Sequence, residues 1–153
     1  MALGSTDRIE KQVRLHASTA RVWRALTDPT EFGAWFGVRL DGPFVPGERT
    51  TGRITHPGYE HITMEVVVER MEPEGVFSFR WHPYAVDPAV DYSGEPRTLV
   101  EFRLAPDGGE TLLTVAESGF EALPEGRRSE AFQMNEGGWE QQMPRIQRHV
   151  TRG

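Results

Sequence analysis

One acidic residue falls on the inward side of an apolar strand pattern. In the segment 111–117, Glu117 has the same parity as Leu113 and Val115, so its side chain should point into the core. A buried carboxylate needs hydrogen-bond donors. Such a group can orient a ligand, or it can move a proton as a general acid–base group. The alternative is a solvated carboxylate at a frayed strand end.

Histidine is the second residue type that could move a proton. His56 has the parity of Ile54 and could face the same interior, or it could be an exposed loop residue. His82 and Tyr84 follow a strand pattern and are placed to rim a cavity mouth. His56 and His61 are five residues apart, which puts them on opposite faces of one strand. We therefore expect no metal site.

Large apolar side chains make up the rest of the candidate site. Aromatic and methionine side chains can form the walls of an apolar ligand pocket, or they can pack a core with no cavity. The two indoles of Trp81 and Trp139 are the better candidates, because a buried indole N–H needs an acceptor. The predicted ligand-binding residues are Trp35, Phe44, Met64, Phe79, Trp81, Phe102, Glu117, Phe120, Trp139 and Met143.

The first third of the chain predicts a strand and two short helices. Ile9, Val13 and Leu15 alternate with polar residues, as in a half-buried strand. Ser18 is a candidate N-cap for the first helix. Asp28 can end that helix and cap the second, with proline at the first helical position.

The remaining two thirds predict a set of strands and then a long helix. Strand patterns cover residues 49–56, 61–71, 76–82, 98–104 and 111–117. Residues 83–96 hold three prolines and no periodicity, and we expect this loop to act as a mobile gate. Apolar residues from Phe132 to Val150 are spaced 7, 4, 3 and 4, which indicates a helix. Gly137, Gly138 and Pro144 weaken that helix, so we expect a kink near Pro144.

Composition narrows the function classes. A chain of 153 residues is the length of one domain, which we place at residues 8–151 after a frayed segment 1–7. A net charge of −6 argues against nucleic-acid binding, and the absence of cysteine excludes disulfides and thiolate chemistry. There is neither a 20-residue apolar run nor a signal-peptide pattern, so we expect a cytoplasmic protein with no membrane insertion. No phosphate-loop or dinucleotide-binding motif is present, and we expect no cofactor.

Four motifs in this order resemble one family. The sequence is similar, over residues 8–151, to the SRPBCC superfamily and in particular to the branch of activators of the heat-shock protein ATPase. The matching residues are the run 18–29 with Trp35 and Phe36, then Glu72, Pro73 and Phe79-Arg80-Trp81, then residues 117–120, and finally Gly138, Trp139, Met143 and Ile146. Pro144 departs from the family pattern, which commonly has a helix-compatible polar residue there.

The resemblance implies an α+β helix-grip fold, in which a curved antiparallel sheet of about six or seven strands wraps around a long C-terminal helix. It also implies a cavity for a small apolar or aromatic molecule, such as a lipid or polyketide, held for sensing, transport, sequestration or self-resistance. One alternative is a cyclase- or hydratase-like enzyme that uses Glu117 or His56. The other is a regulator of a chaperone partner, which would act through an exposed apolar patch.

Overall fold

A long helix lies against one antiparallel sheet of seven strands. The computed structural model describes residues 8–83 and 89–152, so the segment 1–7 that we predicted to be frayed lies outside the described residues. The elements are β1 (Arg8–Leu15), α1 (Thr19–Thr27), α2 (Pro29–Phe36), β2 (Val38–Leu40), β3 (Arg49–Ile54), β4 (Thr63–Glu72), β5 (Val76–Trp81), β6 (Thr98–Asp107), β7 (Glu110–Ser118), a 3₁₀ turn (Phe120–Ala122) and α3 (Glu125–Arg152).

The sheet has the strand order β1-β7-β6-β5-β4-β3-β2, and each neighbouring pair is antiparallel. The predicted α+β helix-grip architecture is therefore confirmed. The sequence pattern missed the three-residue strand β2 and the 3₁₀ turn, because both are too short to show a period. A register shift between Val68 and Arg70 interrupts the pairing of β4 with β5, and such bulges increase the local twist and bend of a sheet.

The helices α1 and α2 begin where their capping residues predict. The Ser18 hydroxyl oxygen accepts a hydrogen bond from the Arg21 N–H at 3.2 Å. Asp28 Oδ1 accepts from the N–H groups of Thr30 and Glu31 at 2.9 and 3.1 Å. These bonds satisfy backbone donors that have no partner in the first turn of a helix.

Strand parity places the core on the sheet face that α3 covers. Met64, Val66 and Val68 alternate inward on β4, and Leu113 and Val115 do so on β7. Folding buries these apolar faces against the apolar stripe of α3. The burial of apolar surface is the main favourable contribution to folding.

The C-terminal helix is longer than the apolar stripe predicted. It runs for 28 residues and continues through Pro144. Trp139, Met143, Ile146 and Val150 are buried, whereas Phe132 is half-buried and packs edge-on against Phe120 at 5.2 Å. Within residues 8–83 and 89–152, no helix combines the length and the apolarity needed to cross a membrane.

Candidate functional site

A cleft of about 570 Å³ lies where α3 passes the end of α2 and the strands β3, β4 and β5. This volume is within the roughly 300–1,000 Å³ range of small-molecule pockets. One wall is apolar and aromatic, with Phe36 from α2, Met64 from β4 and Trp81 from β5. Tyr59 and Ile62, from the segment between β3 and β4, extend this wall.

The opposite wall is a polar stripe on α3. Asn135, Gly138, Gln142 and Arg145 all line the cleft. Their spacing of 3, 4 and 3 residues places them on one helix face. This stripe is beside the apolar stripe that packs into the core, and it gives a ligand hydrogen-bonding groups along one side.

Gly138 opens the cleft at its helical wall. A Cβ added at this position would have no heavy atom within 4 Å, so the space in front of the helix backbone is empty. A mid-helix glycine costs about 0.5–1 kcal/mol relative to alanine. The position at which glycine weakens the helix is therefore also the position at which the missing side chain leaves space for a ligand.

Behind the cleft, Glu117 is completely buried and holds four side chains in place. Its Oε1 accepts hydrogen bonds from Trp139 Nε1 at 2.8 Å and from Asn135 Nδ2 at 2.9 Å. Its Oε2 accepts from Trp81 Nε1 at 2.7 Å and from Thr98 Oγ1 at 2.6 Å. The amide of Asn135 also reaches Oε2 at 3.1 Å. In the described part of the chain, no arginine, lysine or histidine forms an ion pair with it.

This carboxylate fixes the geometry of both walls at once. An indole N–H and an amide NH₂ can only donate, so both oxygens of Glu117 act as acceptors. Trp81 belongs to the apolar wall and Asn135 to the polar wall, and one carboxylate binds both. Glu117 itself does not line the cleft. Its contacts are those of a residue that positions ligand-facing side chains.

The ten residues predicted to bind a ligand lie at three depths. Met64 and Trp81 line the cleft. Glu117 and Trp139 lie directly behind it, and the Trp139 ring stacks on Trp81 with centroids 5.8 Å apart. The other six are buried in the core and do not line the cleft: Trp35, Phe44, Phe79, Phe102, Phe120 and Met143.

The histidines that we considered lie at the edge of the cleft. His56 is exposed, lines the cleft and has its Nδ1 3.4 Å from Arg145 Nη2. It does not lie beside Glu117 in the interior. His82 lines the cleft, with Nε2 3.1 Å from the Glu95 carbonyl oxygen. Across residues 8–83 and 89–152, no three His, Asp or Glu side chains converge as metal ligands.

The segment predicted to be a gate is described only in part, because residues 84–88 lie outside the described residues. In the described part, Tyr92 and Ser93 line the cleft. The Ser93 N–H donates to Asp91 Oδ1 at 3.0 Å. Hydrogen bonds from the Ser93 side chain and backbone hold the pKa of Asp91 below its ordinary value of 3.8.

A second charged cluster joins α3 to α1 and α2. Glu31 accepts from Arg21 Nη1 at 2.6 Å and from Arg24 Nε at 2.8 Å, and His149 Nε2 lies 3.1 Å from it. Burial alone would raise the pKa of Glu31. The hydrogen bonds from His149, Arg21 and Arg24, together with the charge of Arg21, outweigh burial and hold that pKa below 4.5.

The polar stripe on α3 was not predicted to be functional. Asn135, Gln142 and Arg145 carry a detectable signal, since polar residues recur at helical spacing next to the apolar stripe. A polar helix face normally meets water, so this spacing alone does not distinguish a cleft wall from a solvated surface. The distinction depends on where β3, β4 and α2 end relative to α3.

A sheet gripping a long helix, with a cleft between them, defines the helix-grip class of proteins. A family profile described as activator of Hsp90 ATPase homolog 1-like protein matches residues 16–151. The chain belongs to this family, which confirms the resemblance recognised in the sequence. The comparison with curated proteins gives no match.

Solved structures share the fold. The protein MLL2253 from Mesorhizobium loti is 23% identical, with a TM-score of 0.74 over 95% of this chain and 97% of that one. DynU16, from the dynemicin biosynthetic locus, is 26% identical with a TM-score of 0.73 over 95% of this chain, which spans only 47% of DynU16. The Aha1 dimer from Colwellia psychrerythraea is 15% identical, with a TM-score of 0.70 over 94% of this chain and 95% of that one.

Proposed function

We propose that this protein binds a small apolar or aromatic molecule, of the lipid or polyketide kind, in the cleft between α3 and the sheet. The ligand would be held for sensing, transport, sequestration or self-resistance. The observation that carries the proposal is the cleft itself, which has one aromatic wall and one polar wall. Pockets of this composition bury an apolar ligand body and orient it with a few polar groups.

The hydrogen bonds of Glu117 support binding over catalysis. A general acid–base group must reach the reacting proton within about 2.6–3.2 Å, directly or through one water. Both oxygens of Glu117 already accept from protein donors, and the side chain does not line the cleft. Holding Trp81 and Asn135 rigid lowers the entropy lost when a ligand binds.

A chaperone regulator would need a contiguous exposed apolar patch. In the described part of the chain, the exposed large apolar side chains are Tyr59, Val90 and Met134. Tyr59 belongs to the cleft wall, so its exposure fits ligand binding as well.

Filling the cleft from its helical wall tests the proposal. Gly138→Leu places a side chain in the empty space in front of α3, and it should abolish binding of the neutral fluorescent probe N-phenyl-1-naphthylamine. Gly137→Leu is the matched control, because it makes the same substitution one residue earlier at a position that also has open space and does not line the cleft. Both changes remove a mid-helix glycine, so both should keep or raise helix stability.

The assay is a fluorescence titration of the wild type and both variants, with thermal unfolding as a check of the fold. Loss of probe binding only in the Gly138 variant supports the cleft as the binding site. Equal probe affinity in all three proteins would mean that the probe binds elsewhere, and the proposal would then fail.

A further inference from the structure

We propose that the natural ligand is an organic anion, with an apolar or aromatic body and one acidic group that pairs with Arg145. This inference rests on the binding function proposed above and adds the chemical class of the ligand. It comes from the distribution of charge along the cleft. One end of the cleft has a cation with no counter-ion among residues 8–83 and 89–152, and a buried carboxylate lies behind the other end.

Arg145 is a half-buried cation in the cleft wall. In the described residues no carboxylate lies within 4.0 Å of its guanidinium, and its Nη2 lies 3.4 Å from Nδ1 of His56. Three other half-buried arginines, Arg21, Arg97 and Arg127, each have a carboxylate oxygen within 3.1 Å. Arg128 is also half-buried and has no ion pair among the described residues, but it does not line the cleft. A partly desolvated charge without a partner is costly, and an anionic ligand would supply that partner.

Glu65, the carboxylate in the described part of the cleft wall, forms no ion pair with Arg145. It pairs instead with Arg97 at 3.1 Å and with Arg49 at 3.5 Å. No carboxylate in the described part of the cleft wall therefore neutralises Arg145, and the acidic group of a ligand can pair with it. Its planar guanidinium can donate two parallel hydrogen bonds to a carboxylate, sulfonate or similar group, and such charge-assisted bonds are among the strongest in proteins.

The other end of the cleft repels an anion and so sets the orientation of the ligand. Asn135 and Trp81 line that end, and both donate to the buried Glu117 carboxylate. Asn135 and Arg145 are ten positions apart on α3, which is a rise of about 15 Å along the helix. The acidic group therefore lies at Arg145, and the apolar body extends along the cleft toward Trp81.

Two probes that share a ring system separate charge recognition from apolar binding. The probe 1-anilinonaphthalene-8-sulfonate is anionic, and N-phenyl-1-naphthylamine has the same rings without the sulfonate. Arg145→Met should weaken binding of the anionic probe about tenfold, which corresponds to losing one charge-assisted hydrogen bond. It should leave the affinity for the neutral probe unchanged. Arg148→Met is the matched control, since it removes an exposed arginine of the same helix that does not line the cleft.

Each outcome separates this inference from the proposed function. A selective loss of the anionic probe in the Arg145 variant alone supports the inference. Equal losses of both probes would show that Arg145 only maintains the cleft, and no loss of either would show that it does not contact the anion. Both of these results overturn the inference and leave the binding function intact if Gly138→Leu still excludes the neutral probe. If Gly138→Leu excludes neither probe, the proposed function itself is wrong.

Discussion

Replacing Glu117 by glutamine puts an amide NH₂ among groups that donate hydrogen bonds. Whichever way the amide turns, its NH₂ takes the place of one carboxylate oxygen and faces an indole N–H, that of Trp139 at the Oε1 position or that of Trp81 at the Oε2 position. That indole loses its acceptor. The new amide N–H can donate to Thr98, if that hydroxyl turns to accept, or to Asn135, if its amide oxygen turns inward, but neither indole can accept.

The cost follows from the number of buried groups left without a partner. One buried unsatisfied donor costs about 1–3 kcal/mol, and here it is the indole N–H that loses its acceptor. Removing the buried charge recovers its desolvation cost, but it also weakens the remaining hydrogen bonds, which are charge-assisted in the wild type. We expect Glu117→Gln to lower the free energy of unfolding by about 1–3 kcal/mol.

Urea unfolding followed by tryptophan fluorescence measures this loss. Trp139→Phe provides the control, because it removes the indole N–H at the Oε1 position. The glutamine NH₂ can then lie there while its oxygen still accepts from Trp81. In the double variant the two losses should fall short of additive by about 1 kcal/mol, since neighbouring groups of one network couple. A Glu117→Gln variant that is as stable as the wild type would refute the reasoning.

Three further predictions concern stability. Glu31→Gln should cost about 1 kcal/mol at pH 7. Because the folded pKa of Glu31 lies below 4.5, this contribution is present above 4.5 and is lost as the pH falls through the lower folded value, so unfolding curves of the two proteins should converge in acid. Gly33→Ala should destabilise, since its Cβ would lie 2.2 Å from the Val38 carbonyl oxygen; a gain in melting temperature would contradict this. Trp139→Ala should cost roughly 3–5 kcal/mol in denaturant melts, and a loss under about 1 kcal/mol would show that Trp139 is not a core residue.

The fold could be predicted because its signals are local and agree with one another. Ser18 and Asp28 form the caps that their side-chain chemistry favours. The alternation that placed Glu117 beside Val115 is also the alternation that buries both side chains. Residues whose own neighbours determine their environment are the ones that a single sequence reveals.

The site was less predictable because it depends on where separate elements end. Parity gives the inward direction of Phe79 and Phe102, but it does not tell a filled core from a cleft wall. Both of these side chains are buried in the core, whereas Trp81, at the end of the same strand as Phe79, reaches the cleft. From helix propensity alone, Gly138 is only a residue that weakens a helix. The structure shows in addition that its missing side chain leaves the cleft open.

The central claim is that a small apolar molecule binds in the cleft beside Trp81, and the four tryptophans provide an internal test. Their indole N–H signals in a ¹H–¹⁵N correlation spectrum, assigned with single Trp→Phe variants, can be followed while N-phenyl-1-naphthylamine is added. Trp81 lines the cleft and Trp139 stacks behind it, whereas Trp23 and Trp35 do not line it. The account predicts that the Trp81 signal shifts most and the Trp139 signal next. A largest shift at Trp23 or Trp35, or no indole shift at probe saturation, would contradict it.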